Sequence, residues 1–213
     1  MSKPLQFILA GIGTEIGKTV VSAIVVEALQ ADYWKPVQSG ALEDSDSETV
    51  RRLISNSVSQ FHPETYRLRE PLSPHAAAAI DGIRLSLDAF AVPQTANHLV
   101  IELAGGLMVP LNDHELNIDL VQQLQLPVLL VSKHYLGSIN HTLLSVEALQ
   151  QRSIPIMGLI FNGPATPASE DFIVSYTGLK SFGRIEWEVE INQEVVSRNA
   201  ANVKRLLEEY HAS

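Results

Sequence analysis

A single α/β domain, with a mostly parallel sheet and helices on both faces, is the fold class predicted by the 213-residue chain. Three features predict it. Strand-like and helix-like patterns alternate along the chain. Several strands are continuous apolar runs, which suits strands buried on both faces better than strands with one wet face. A glycine-rich loop joins the first strand to the first helix. The length fits one large domain over 1–213 and does not require two. In such folds ligands bind beyond the carboxyl ends of the strands.

Leu5–Ala10 is apolar throughout and reads as the first strand. Thr19–Leu29 follows as a helix, with Val20, Val21, Ile24 and Ala28 facing inward. Tyr33–Val37 is a short strand interrupted by Pro36, which has no N–H for a ladder. Gln38–Asp46 is small and polar, hence a loop, and Ser47–Ile54 is a short helix. Residues 61–82 hold three prolines and little periodicity, an irregular excursion of a kind that is often functional. Ser86–Val92 reads as another short helix, and His98–Ala104 as a strand that ends at Gly105-Gly106. Ile118–Leu126 is helical, Pro127–Ser132 a strand, and Ser138–Arg152 a helix with Ile139, Leu143, Val146 and Leu149 at core spacing. Ile154–Phe161 is a strand that ends at Asn162-Gly163, and Ser181–Ile185 a short strand. Gln193–Tyr210 closes as an amphipathic helix, with Val196, Ala200, Val203, Leu206, Leu207 and Tyr210 inward.

Composition narrows the function. Hydrophobic residues make up 46% and charged residues 18%, enough apolar material for a core and against disorder. The net charge of −9 argues against nucleic acid and anionic membranes as partners. With no cysteine there are no disulfides and no thiolate metal sites. The seven histidines show no metal-ligand spacing. No apolar stretch is long enough to span a bilayer. The Leu5–Ile12 run enters a glycine loop without a cleavage site, so it is not a secretory signal. The expectation is a soluble cytoplasmic protein.

The chemistry begins at Gly11-Ile12-Gly13-Thr14-Glu15-Ile16-Gly17-Lys18-Thr19, between a strand and a helix. Glycines let backbone N–H groups converge on anionic oxygens, and the helix N-terminus adds partial positive charge. Lys18 reaches the outer phosphates of ATP, and the Thr19 hydroxyl ligates Mg²⁺. This is a P-loop one residue longer than the strict pattern, because Ile12 stands at the usual glycine and Gly11 lies one position further back. Partition-type ATPases carry a second lysine where this chain has Gly13. The nucleotide candidates here are Gly13, Thr14, Glu15, Ile16, Gly17, Lys18, Thr19 and Val20.

Further segments follow in order. They are Lys35-Pro36-Val37-Gln38-Ser39-Gly40, Ser45-Asp46, Pro71-Leu72-Ser73-Pro74-His75, Glu102-Leu103-Ala104-Gly105-Gly106 and Leu136-Gly137-Ser138-Ile139-Asn140-His141. Together with the long loop they resemble the dethiobiotin synthetases, over nearly the whole chain. The resemblance implies an ATP- and Mg²⁺-dependent ligase of biotin biosynthesis. Carbon dioxide (or bicarbonate) would form a carbamate on 7,8-diaminononanoate, ATP would phosphorylate it, and the second amine would close the ureido ring.

The same resemblance assigns roles. Lys18, Lys35 and Thr14 would serve catalysis, and Lys35 and Ser39 would hold substrate. A lysine is a compact three-donor cation suited to carbamate or γ-phosphate. Thr19, Asp46 and Glu102 would hold the metal, in keeping with the preference of Mg²⁺ for oxygen ligands. Glu102 stands in an apolar strand, where a bare carboxylate is costly without a cation or hydrogen bonds. Gly137, Ser138, Ile139 and Asn140 open a helix that in the family comes from the neighbouring subunit and binds the substrate carboxylate, implying a homodimer. Asn162, Ile185 and Glu186 would lie at the purine. Three departures stand out: Leu103 in place of glycine, expected to crowd the ligand; Gly163 in place of Asp; and Glu186 in place of Pro. Competing readings are a P-loop regulatory switch, a related amide-forming ligase, and a non-catalytic binder motivated by Leu103.

Overall fold

The computed structural model describes residues 3–212. Seven strands form the main sheet, in the order β4 (Phe61–His62), β2 (Asp32–Trp34), β6 (Leu99–Gly106), β1 (Gln6–Gly11), β7 (Val128–Lys133), β8 (Ile156–Asn162) and β9 (Ser181–Ile185). Every pairing in it is parallel. The expected α/β class is therefore observed. Among the described residues no helix is long and apolar enough to cross a membrane.

Strand alternation divides the core into two layers. Phe7, Leu9 and Val100 face one layer, which holds α1 (Lys18–Leu29) and α7 (Gln193–Ala212). Ile8, Ala10, Leu99, Ile101 and Leu103 face the other. That second layer is covered by α3 (Pro74–Asp81), α4 (Asn117–Leu124), α5 (Ser138–Gln151) and α6 (Pro167–Thr177). The helix α1 is buried on more than one side, from Val21 to Val26 without a break. It lies between the sheet and a second tier made by α2 (Asp46–Leu53) and α7, so no narrow apolar stripe marks it. Val20, expected to face inward, is only partly buried.

Several boundaries differ from expectation. The Tyr33–Val37 strand is two strands. β2 stops at Trp34, and after Pro36 the chain forms β3 (Val37–Ser39), which pairs with β5 (Tyr66–Leu68) in a separate two-stranded sheet. Gln38 and Ser39 are thus on a strand and not in a loop. Asp46 is the first residue of α2, capped by the Ser45 hydroxyl, which accepts from Glu48 N. The excursion over 61–82 contains β4, β5 and α3. That helix starts at Ser73-Pro74 and stops at Gly82, whose φ of +69° suits glycine. The helix expected over Ser86–Val92 is a single 3₁₀ turn, Leu87–Ala89. α6, bounded by Pro167 and Gly178, falls where no element is expected.

Candidate active site

The carboxyl ends of β1, β2 and β6 meet at one place, and the phosphate loop closes over it. Gly17 has a φ of +85°, and a Cβ there would lie 2.2 Å from Asn162 Nδ2, so this position requires glycine. Lys18 is 7% exposed and donates to the Gly13 carbonyl at 3.0 Å. Burial, opposed by Glu102 and reinforced by Lys35, lowers its ammonium pKa to about 8.

A buried charge cluster lies below the loop. Lys35 Nζ is 2.5 Å from Asp46 Oδ2 and 3.0 Å from Glu102 Oε1. The Thr19 hydroxyl donates to Asp46 Oδ1 at 2.8 Å and is 3.2 Å from Glu102 Oε1. The other oxygen of Glu102 accepts from Ser22 Oγ at 2.6 Å and from the Tyr33 hydroxyl at 3.0 Å. Glu102 is only 1% exposed, so these donors and Lys35 supply what a carboxylate inside a strand demands. Burial alone would pull the Lys35 ammonium down, but the Glu102 and Asp46 carboxylates outweigh it and hold its pKa above the usual lysine value. Burial likewise raises Asp46, yet Lys35 and the Thr19 hydroxyl bring it below the usual range.

A cavity of about 810 Å³ opens above the cluster. Thr14, Glu15, Gly17, Lys18, Thr19, Lys35, Ser39, Asp46 and Glu102 line it, as do Pro71–Pro74 from the excursion before α3. Ser39 Oγ is buried there with no hydrogen-bond partner among the described residues. Leu103 does not line the cavity. It is 1% exposed and packs in the opposite core layer, because Glu102 and Leu103 are successive residues of β6 and point to opposite faces. The expected crowding is therefore absent.

Other candidates lie outside this cavity. Asn162 donates through Nδ2 to the Ile16 carbonyl at 2.7 Å, so it touches the phosphate loop from behind. Ile185 pairs with Asn162 across β8 and β9, and Glu186 accepts from Arg184 Nε at 2.8 Å. Gly137, the N-cap of α5, has φ +99° and no side-chain cap. Together with Ser138, Ile139 and Asn140 it contributes nothing to the cavity of its own chain. Ser138 is the first helical residue. A second cavity, of about 610 Å³, runs from Gly13 and Thr14 over Leu107–Val109 to Leu144 of α5. Ser22, Tyr33 and Gln38, whose side chain accepts from Asp46 N at 3.2 Å, were not expected in the site.

The family model described as an AAA domain matches residues 6–195. An ATP-dependent dethiobiotin synthetase BioD from Christiangramia forsetii is 52% identical over 204 residues, 96% of this chain and 98% of that protein. The protein of the same name from Cytophaga hutchinsonii is 47% identical over 93% of this chain and 96% of its own length. Among solved structures, the MinC:MinD cell division complex of Aquifex aeolicus shares the fold. Its TM-score is 0.61, at 11% identity and 96% coverage of both chains. Identity at this level over nearly the full length of both chains places this chain in the ATP-dependent dethiobiotin synthetase family.

Proposed function

We propose that the cavity between Lys18 and Lys35 is where the family's reaction is carried out, within one P-loop α/β domain over 1–213. The chain is an ATP-dependent ligase that makes dethiobiotin from 7,8-diaminononanoate and carbon dioxide. One observation carries the assignment of the site: Lys35, 4% exposed, sits between Asp46 and Glu102 directly below the loop that bears Lys18 and Thr19. A regulatory switch has no need of that buried cation.

In the first step an amine of the substrate attacks carbon dioxide and loses a proton, leaving a carbamate. Lys35 is the cation suited to hold it, and the unpartnered Ser39 hydroxyl is suited to bond substrate. A carbamate oxygen then attacks the γ-phosphorus of ATP, and ADP leaves. The loop N–H groups and Lys18 bear on the phosphate charge that this step spreads, and Thr14 stands at the loop's rim. The second amine attacks the carbonyl carbon, phosphate departs, and the ring closes. The carbamate is its own nucleophile, so no activated serine or cysteine is required.

The donor set also fits Mg²⁺. Among the described residues no group of three or more His, Cys, Asp or Glu side chains could hold an ion alone. The Thr19 hydroxyl with the Asp46 and Glu102 carboxylates would hold it together with phosphate oxygens. When bound, it neutralises charge on the outer phosphates.

We further propose a homodimer. Leu136, just before α5, is 103% exposed, and Leu144 of α5 and Met108, which line the second cavity together, are 55% and 53% exposed. Gly137–Asn140 could serve only a cavity other than their own, and an uncapped helix start attracts a carboxylate. The compartment proposed is the cytoplasm, where ATP is supplied. The test is phosphate release from ATP, Mg²⁺ and bicarbonate with and without the diamine. Diamine-dependent release with a cyclic urea in the mass spectrum is expected. Nucleotide binding without any response to diamine would refute the assignment.

A further inference from the structure

We infer that Lys133, at the carboxyl end of β7, is a positioning residue of the phosphate loop. Three loop carbonyls are tied by side chains: Gly13 by Lys18 Nζ at 3.0 Å, Glu15 by Lys133 Nζ at 3.1 Å and Ile16 by Asn162 Nδ2 at 2.7 Å. Lys133 and Asn162 are partners in the β7–β8 register, so neighbouring strand ends present an ammonium and an amide side by side to successive peptide units.

The consequence follows from peptide geometry. A trans peptide is planar, with its C=O and the next N–H pointing in opposite directions. Anchoring the Glu15 carbonyl on Lys133 therefore turns the Ile16 N–H the other way. Anchoring the Ile16 carbonyl on Asn162 does the same for the Gly17 N–H. These N–H groups belong to the nest that receives phosphate. The tie also falls where the backbone most needs one. Glu15 has a φ of +56°, the left-handed region that a glutamate adopts only at a cost. Lys133 further brings a charge to the loop, and its own side chain is exposed, so its removal does not threaten the core.

The inference rests on the site reading above, and the test separates the two. Affinity for a non-hydrolysable ATP analogue would be measured by calorimetry in Mg²⁺ buffer for the wild type, Lys133→Met and Lys133→Arg. Steady-state constants for ATP and diamine would be measured alongside. Lys133→Met should weaken the analogue roughly three- to tenfold and raise the KM for ATP alike, the range for one charge-assisted bond at an exposed site. Its KM for diamine should stay put, its kcat should fall by no more than the analogue affinity does, and Lys133→Arg should recover most of the loss. The penalty should persist at about 0.5 M salt, where a remote exposed charge is screened. Unchanged analogue affinity in Lys133→Met would overturn the inference, and so would a penalty that disappears in salt. If the wild type failed to bind the analogue, the phosphate-loop reading itself would fall.

Discussion

Removing Lys35 tests the centre of the site. Its ammonium is the cation shared by Asp46 and Glu102, at 2.5 and 3.0 Å. Lys35→Met keeps the stem volume and deletes the charge. Glu102, 1% exposed, would then lose its ion-pair partner and keep the hydroxyls of Thr19, Ser22 and Tyr33, while Asp46, a third exposed, can still draw on water. Breaking a buried pair from one side costs roughly 3–5 kcal/mol, and the partial exposure of Asp46 puts this case at the lower end, about 3 kcal/mol. For a chain of this size that is a fall in Tm of about 6–12 °C by calorimetry. Diamine-dependent phosphate release should fall by about 10² or more, the scale for losing one electrostatic contact to the transition state, while ATP-analogue binding survives. The double variant Lys35→Met/Glu102→Gln removes the stranded carboxylate. It should recover most of the lost stability and none of the activity. Near-normal turnover by Lys35→Met would sink the role given to Lys35. A melting temperature that does not move would show that the ion pair is not the buried one described.

Three other outcomes are expected. Because burial lowers the Lys18 pKa to about 8 and polyphosphate binds its charged form, the KM for ATP should be flat below that pH and climb as pH rises through it; a profile level to pH 9.5 would contradict this. Leu103→Gly should cost about 3 kcal/mol or more in denaturant titration without improving ATP affinity, since the side chain is core; a tighter-binding, equally stable variant would restore the crowding argument. Leu144→Asp, at an exposed position, should yield a folded but inactive monomer by sedimentation velocity. A monomer with full activity would refute a site shared between subunits.

The parts of the site legible in the sequence are those whose chemistry demands contiguous residues or an anomaly. The loop from Gly11 to Thr19 is one stretch of chain because its backbone must wrap one anion. Glu102 stands out as a charge in an apolar strand, and Lys35 stands just before Pro36, where a strand has to end. Ser22 and Tyr33 were illegible because a hydroxyl on a buried helix or strand looks like any core residue until its long-range partner is known. The β3–β5 pairing is likewise non-local. Other misses had readable signals: Ser73-Pro74 with Gly82, and Thr166-Pro167 with Gly178, punctuate α3 and α6. Leu103 was legible too, since a strand that turns Glu102 toward the loop must turn its neighbour away. The helix α1 resisted pattern reading for the opposite reason: it is covered on nearly every side.

That covering has a practical consequence at the far end of the chain. Val196, Ala200, Val203 and Leu207 of α7 share one core layer with Val21, Val25 and Ala28 of α1, the helix whose first residues are Lys18 and Thr19. The last twenty helical residues hold no catalytic group, yet they are the outer wall of the element that carries the phosphate loop. Proteolytic trimming, or a bulky fusion that unseats α7, would strip that wall. The damage would be recorded as lost nucleotide affinity, at a distance from every residue that touches ATP.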